Sequence, residues 1–523
     1  MARPGRLGGT FVETIQRMNT DPERIPVIVG IGQLNDRPAD PLQGQDPAAL
    51  AAAAFRLAAA DATAGMAPSA ADELLAAVQF VGVVKQISFP DLADLATGVA
   101  SALAIAPAVL RQSDGPSGDS PVRLLNDAAN LIGAGAIRLA LVGGAEALRT
   151  AAARVAAQEN GRRLDPVREA PHRKRTGYAA EHGLVAPVDV YPLYENAARA
   201  AFGQTLDTAQ AETGAIWSLF SQVAATNPHA WVQRCIAAED IVTPSASNRP
   251  IAFPYTKLQV ANSAVNQAAG FIVASIAEAR RRGIPEARWI HVGNGAAARE
   301  ADDLLARDGF DRSASMQASL VAGLERNGLT PQDLDAVELY SCFPCIVKLA
   351  RRVIDWPLER PASVVGGLTF GGGPVGNYMS HAICAMVARL RESGGTGLLF
   401  GNGGLATSNH VLPLSAHPLP TASFPRDYDV QPAAEALRTP VPPLHENYIG
   451  PATVETWTVT YGRDQKPDGG AVIARTPDGG RTLATIDPYD AAIVELFSGK
   501  CGEAVGRSGR IVTRHGRRTW ELH

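Results

Sequence analysis

Three side chains in the C-terminal half carry proton-transfer or nucleophilic chemistry. Tyr340 and Cys342 lie in the segment ELYSCFP, and His381 sits two turns into a helix expected after Gly373-Pro374. A phenol and an imidazole can take up and return a proton during bond cleavage. A thiol can attack a carbonyl carbon when its thiolate is favoured. The plainer alternatives are a helix histidine satisfied by a neighbour and a cysteine packed in the core. His410, after the turn GNGG, is a further imidazole candidate. Cys342 and Cys345 form a C-x-x-C pair, but no second pair stands at zinc-finger spacing. The five cysteines are an odd, sparse set in a long chain, which is not a disulfide framework.

These residues need a scaffold, and the chain reads as alternating strands and helices. Residues 25–33, 75–84 and 137–148 are short apolar runs that predict buried strands. Residues 47–62 predict an Ala-rich helix opening at Asp46-Pro47. Residues 150–255 are richer in charge, His, Tyr and Trp, and predict a large insertion over one face, where ligand sites often lie. The pattern then resumes with a helix over 262–283 and strands at 287–295, 335–343 and 395–406. Such alternation predicts a largely parallel sheet covered by helices. Two segments also rhyme. Residues 114–147 and 366–406 each run from a Gly-rich turn through a helix and an apolar strand to a Gly-Gly turn. That repetition predicts a duplicated core, with two helix N-termini offering N–H donors at one place. Residues 416–445 are Pro-rich and read as a linker, and short β runs after 447 predict a small β-barrel-like (OB-like) domain.

Bulk composition narrows the classes of function. The 523 residues carry a net charge of −4, which gives no case for nucleic acid or an anionic membrane. No run of about 18 apolar residues exists, so no membrane span is expected. The N-terminal MARPGRLGGTFVETIQRM shows no signal-peptide pattern, which predicts a cytoplasmic location. The Gly-rich turns lack the spacing and the acidic residue of a dinucleotide fingerprint.

An ordered set of motifs resembles the thiolases. It comprises the stretch from Gly115 to Gly143-Gly144-Ala145-Glu146, PSASNRPIAFPYTKL…NSAVNQAAG (244–270), ELYSCFP (338–344), GGLTFGGGP (366–374) and GNGG (401–404). Any one is weak; their order over about 400 residues is not. The resemblance implies a duplicated thiolase fold, α/β and layered αβαβα, with a loop insertion and the added barrel-like domain. The implied division is 1–285 for the first half including the insertion, 286–415 for the second, 416–446 for the linker and 447–523 for the β-domain.

The family's working positions are largely empty here. Counting from Glu146, the nucleophilic cysteine is replaced by Gly118. The G-H-P turn reads Gly372-Gly373-Pro374, the C-x-G cysteine falls near Phe400, and the N-E-x-F segment reads Tyr340-Ser341-Cys342-Phe343. Ser117 and Ser120 beside Gly118 are expected to cap the helix. This pattern is similar to the thiolase-like proteins of type 1 with an additional C-terminal domain, often labelled acetyl-CoA acetyltransferase, and YPLYENA (191–197) and NPHAW (227–231) fit that group. The resemblance implies an acyltransferase-type protein that acts on acyl-CoA thioesters, making or breaking a C–C bond without the cysteine route. Coenzyme A thioester is then substrate or ligand and no other cofactor is required; a homodimer is possible. Tyr340, His381 and Cys342 are the catalytic candidates, and Asn248, Arg249, Lys257 and His229 the CoA-binding ones. The alternative is a non-catalytic protein that holds CoA or an acyl lipid, or docks a partner.

Overall fold

Apolar runs without polar alternation are what strands covered on both faces require, and the core is built from them. The computed structural model describes residues 21–92, 94–159, 161 and 177–522. The N-terminal stretch examined for a targeting signal and residues 162–176 of the insertion lie outside the described residues. The strands of the first half are β1 (Pro26–Asn35), β2 (Phe80–Val83), β3 (Val109–Gln112) and β4 (Leu139–Ala147). The insertion adds the short strands β5 (Pro250–Ala252) and β6 (Tyr255–Thr256). Then follow β7 (Asn266–Ser275), β8 (Ile290–Val292), β9 (Ala296–Arg299), β10 (Ala336–Leu339), β11 (Thr396–Gly403) and β12 (Ser408–Ser415). They join in the order β10-β11-β12-β8-β1-β7-β4-β2-β3, with β9 beside β12.

Two expectations need correction. The segment 262–283 is not one helix: residues Asn266–Ser275 form β7, and only Ile276–Arg281 is helical. All ten residues of β7 are buried, between β1 and β4, so its Ala-rich sequence shows no alternation. The sheet is also mixed rather than largely parallel. β7 runs antiparallel to both neighbours and β12 antiparallel to β11, while β2 is parallel to β3 and β4, and β10 to β11.

Helix α1 (Pro47–Ala62) covers the outer face of the first half-sheet. Its small residues let it approach β1 so closely that a Cβ on Gly30 would lie 2.2 Å from the Ala58 carbonyl oxygen. Helix α2 (Ser120–Gly133) belongs to the first half. The insertion supplies α3 (Pro187–Ala201) and α4 (Leu206–Thr226). The second half supplies α5 (Ala314–Glu325), α6 (Pro344–Val353) and α7 (Tyr378–Ser393). Both α2 and α7 touch strands of both halves and lie between the two half-sheets, with α5 and α6 outside the second. This is the layered αβαβα arrangement, and one apolar core runs through its middle.

The C-terminal strands are β13 (Gly450–Tyr461), β14 (Pro467–Arg475), β15 (Arg481–Thr485), β16 (Ser508–Arg514) and β17 (Arg517–Leu522). They pair as β14-β15-β17-β16-β13, and β13 pairs back to β14, which closes a five-stranded barrel. Trp457, Phe497 and Trp520 fill its interior. β5 of the insertion adds to β13, so insertion and barrel share hydrogen-bonded backbone. Fully buried Arg481 pairs with Glu455 and donates to the carbonyl oxygens of Leu305 and Arg307. Residues 416–446 pack against the core as they cross, with Val430 and Ala434 on Ala296, Ala298 and Ala318. Among the described residues no helix is long and apolar enough to cross a membrane.

Candidate active site

The first half contributes a helix start with no side chain at its critical residue. Gly118 precedes α2, whose N-cap is Asp119. Neither flanking serine caps the helix as expected: the Ser117 hydroxyl bonds the Asp119 carboxylate, and Ser120 Oγ donates to the Gly115 carbonyl. Gly118 is buried and crowded. A Cβ built on it would fall 2.3 Å from the Asn402 carbonyl oxygen, 2.3 Å from Tyr340 Cζ and 2.4 Å from the Tyr340 hydroxyl. The space a nucleophilic side chain would need is already filled by the phenol of Tyr340.

Tyr340 follows β10, and its surroundings hold it in place. Its backbone N–H donates to the Phe400 carbonyl, 3.1 Å away. Its ring, 6% exposed, stands edge-on to Tyr378 at 5.8 Å. The Tyr378 hydroxyl donates to Glu338 Oε1 at 2.6 Å. Glu338 also accepts from the Ser363 hydroxyl and the Val364 N–H, and so pins the loop that leads into Gly366-Gly367. Burial pushes its carboxyl up to about 7, against the hydrogen bonds that favour the anion.

A cleft of about 1970 Å³ opens from this point toward the barrel. Gly118, Tyr340, Cys342, Phe343, Asn402 and Tyr191 are among its lining. Tyr191, on α3, stacks on Phe343 at 4.4 Å. Its hydroxyl donates to Asn402 Oδ1 at 3.4 Å and accepts from the Ala406 N–H at 3.1 Å. Burial, followed by the neighbouring Cys342 thiol, raises the Tyr191 hydroxyl well above its ordinary range. Asn402 Nδ2 donates to Asn409 Oδ1, Asn409 Nδ2 to Ser315 Oγ, and Ser315 Oγ to Glu300 Oε1, at 2.9, 2.7 and 2.7 Å. This chain fixes the turn whose carbonyl abuts Gly118.

The remaining expected residues scatter. His381 does not line the cleft. It is 2% exposed on α7, with Nδ1 2.9 Å from Gln33 Oε1 of β1 and Nε2 without a partner among the described residues. Burial, with a smaller contribution from His229, lowers it to about 3, so the ring is neutral. His410 is equally buried, with Nε2 3.1 Å from Asn126 Oδ1, and is lowered to about 3 by burial and Arg123. Asn248 spends its amide on backbone: Nδ2 faces the carbonyls of Asp240, Ile241 and Thr243, and Oδ1 accepts from the Leu258 N–H. Lys257 is exposed and His229 half-buried, and neither lines the cleft. Arg249 does line it. The structure therefore brings Tyr340, Cys342 and Arg249 to one cleft and leaves His381, Asn248, Lys257 and His229 outside it. Tyr191, within YPLYENA but not singled out there as a site residue, also lines it, as does Arg463, which stands in no motif of the sequence.

Residues 429–514 match the family model of the thiolase-like protein type 1 additional C-terminal domain. The crystal structure of a monomeric SCP2-thiolase like protein type 1 from Mycobacterium smegmatis is similar over 96% of this chain and 100% of its own, at 29% identity and a TM-score of 0.80. Human mitochondrial 3-ketoacyl-CoA thiolase in complex with CoA covers 76% of this chain and 98% of its own, at 14% identity and a TM-score of 0.56. The Ltp2-ChsH2(DUF35) aldolase covers 76% and 99%, at 21% identity and a TM-score of 0.55. No curated protein sequence matches. The core is thus a thiolase fold. With the barrel included, the chain is similar along nearly its whole length to a thiolase-like protein of type 1, and its C-terminal region matches the additional domain of that group.

Proposed function

We propose that this protein binds an acyl-CoA thioester in the cleft between core and barrel and makes or breaks a C–C bond there, with Tyr340 as the proton carrier and no acyl-cysteine. The observation that carries this reading is the Tyr340 phenol in the slot beside Gly118, at the floor of a cleft of about 1970 Å³. That volume exceeds the few hundred to about 1,000 Å³ of common small-molecule sites, as a ligand with a long arm and a nucleotide requires. CoA is bound in the human thiolase of the same fold. An aldolase also shares the fold.

Retro-aldol cleavage asks for little machinery. The β-hydroxyl loses its proton as the Cα–Cβ bond breaks, and the enolate carbon regains one. A single group that accepts and returns the proton suffices, so His381 need not reach the ligand. The thioester oxygen carries the enolate charge and needs N–H donors. Among the described residues the Gly118 N–H has no protein acceptor, whereas the Gly373 N–H is spent on the Asn262 carbonyl at 2.8 Å. Cys342 stands beside this floor and beside Tyr191, as a second acid–base candidate. In this reading the protein works as a monomer, by likeness to the monomeric protein from Mycobacterium smegmatis.

The test is consumption of acetyl-, acetoacetyl- and β-hydroxyacyl-CoA by purified protein. Turnover is expected with a β-hydroxyacyl-CoA, and Tyr340→Phe should lower kcat by roughly 100-fold or more, the usual scale of a lost acid–base group. No turnover of any of the three at stoichiometric protein would overturn the enzymatic reading. A stability gain on adding CoA or acyl-CoA would then leave a binding protein, favoured by the emptied Gly118 and Gly373 positions.

A further inference from the structure

The pairing of β5 with β13 does more than attach the barrel. In that antiparallel register Ala252 faces Thr460, and the Phe253 N–H donates to the Val459 carbonyl. Arg249 of the insertion lies three residues before Ala252, and Arg463 of the barrel's β13–β14 turn three residues after Thr460, so the pairing brings these two segments toward one another. Both arginines line the cleft. Arg463 is exposed, and among the described residues neither has an acidic partner; Arg249 donates to its neighbour's carbonyl, Pro250 O, at 3.0 Å. Burial and then Arg463 lower the affinity of Arg249 for its proton, so the charge that acts on it is another cation. Arg517 and Arg518 line the same cleft from the barrel side, and Tyr489, 94% exposed, stands on its rim.

Two guanidiniums that line one cleft, neither with an acidic partner among the described residues, form a site for a multiply charged anion, because planar forks bind phosphate oxygens in pairs. An exposed aromatic on the rim offers a face for a base to stack on. We propose that Arg249 and Arg463 together bind the phosphate-bearing nucleotide end of the cleft's ligand, which makes the barrel one wall of the binding site. This rests on the thioester reading for the ligand's other end, but the anion site stands on its own geometry.

Three probes separate the two ideas: CoA, 3′,5′-ADP as the phosphate end alone, and pantetheine as the arm alone, each titrated calorimetrically at low and high salt. The variants are Arg463→Glu and, as a control of equal charge change outside the cleft, exposed Arg510→Glu. Arg463→Glu should weaken CoA and 3′,5′-ADP by roughly tenfold or more, the scale of a lost charge-assisted hydrogen bond. It should leave pantetheine unchanged and reduce the salt dependence of CoA binding. Arg510→Glu should behave as the parent. If Arg463→Glu binds CoA and 3′,5′-ADP like the parent protein, the inference fails while the thioester reading stands. If 3′,5′-ADP binds in an Arg463-dependent way and CoA does not bind, the anion site stands and the thioester reading fails. Silence with all three probes overturns both.

Discussion

The two halves of the core present the same turn twice, at Gly118 before α2 and at Gly373 before α7, and treat it differently. Around Gly118 a Cβ would meet Tyr340 and the Asn402 carbonyl at 2.3 Å, so no side chain fits. Around Gly373 the nearest atoms to a Cβ are the Asn262 carbonyl oxygen at 3.2 Å and Ala261 Cβ at 3.4 Å, tight but relieved by a shift of a few tenths of an ångström. Among the described residues the first turn's N–H has no protein acceptor, and the second gives its N–H to Asn262. The same kind of turn is thus built in two ways. At Gly118 the space for a side chain is filled; at Gly373 it is less crowded. Below the turns the duplication persists. Asn126 and His381 each stand eight residues after their glycine, and each reaches across to the opposite half, Asn126 to His410 of β12 and His381 to Gln33 of β1. His381 and His410 are therefore matching ties between the halves rather than members of the cleft.

The comparison can be broken most forcefully at Gly118. Gly118→Ala should cost about 1–3 kcal/mol or more of stability in denaturant unfolding, the price of overpacking against backbone and a held ring. A parent-like midpoint would show that Tyr340 yields and that the slot is not filled. Next in size is a pH effect on the ties. Both histidines have folded values near 3, below the unfolded value of about 6.5. Their contribution is present above pH 6.5 and is lost as pH falls toward 3, by about 1.4 kcal/mol per unit for each ring. Glu146 and Glu338, raised by burial to about 8 and about 7, act in the opposite sense. Their contribution is present below about pH 4.5 and is lost as pH rises through 7 and 8. His381→Gln isolates one tie: between pH 4 and 6 its stability should rise less steeply with pH than the parent's, by about that amount per unit. Identical slopes would mean that the ring is protonated in the folded state. The smallest effect is expected at the less crowded turn, where Gly373→Ala should change stability by less than about 1 kcal/mol, the range of a substitution that neighbours can absorb. A loss as large as that of Gly118→Ala would erase the difference between the turns.

Much of this was legible in the sequence, for identifiable reasons. Short apolar runs between turns located most strands of the core, and motif order pointed to its fold. Strand β7 was misread because Asn266–Ser275 is Ala-rich and buried on both faces, and a strand without alternation cannot be told from a buried helix by periodicity. The mixed direction of the sheet depends on that strand. In the site, Tyr340 and Cys342 follow from their place after β10. The filling of the Gly118 slot does not, because it depends on where a ring turns across chain segments far apart in sequence. Arg463 was invisible for the same reason: only the β5–β13 pairing brings its segment toward that of Arg249.

The central claim is the proposal that thioester chemistry here proceeds without an acyl-cysteine, since Tyr340 fills the space beside Gly118, where the thiolase resemblance sets the nucleophile. Intact-protein mass spectrometry during incubation with acetyl-CoA, acetoacetyl-CoA and a β-hydroxyacyl-CoA tests it most directly. The account predicts an unmodified protein mass throughout turnover of the β-hydroxyacyl-CoA. An acyl adduct that forms and decays at the rate of turnover, on Cys342 above all, would contradict it.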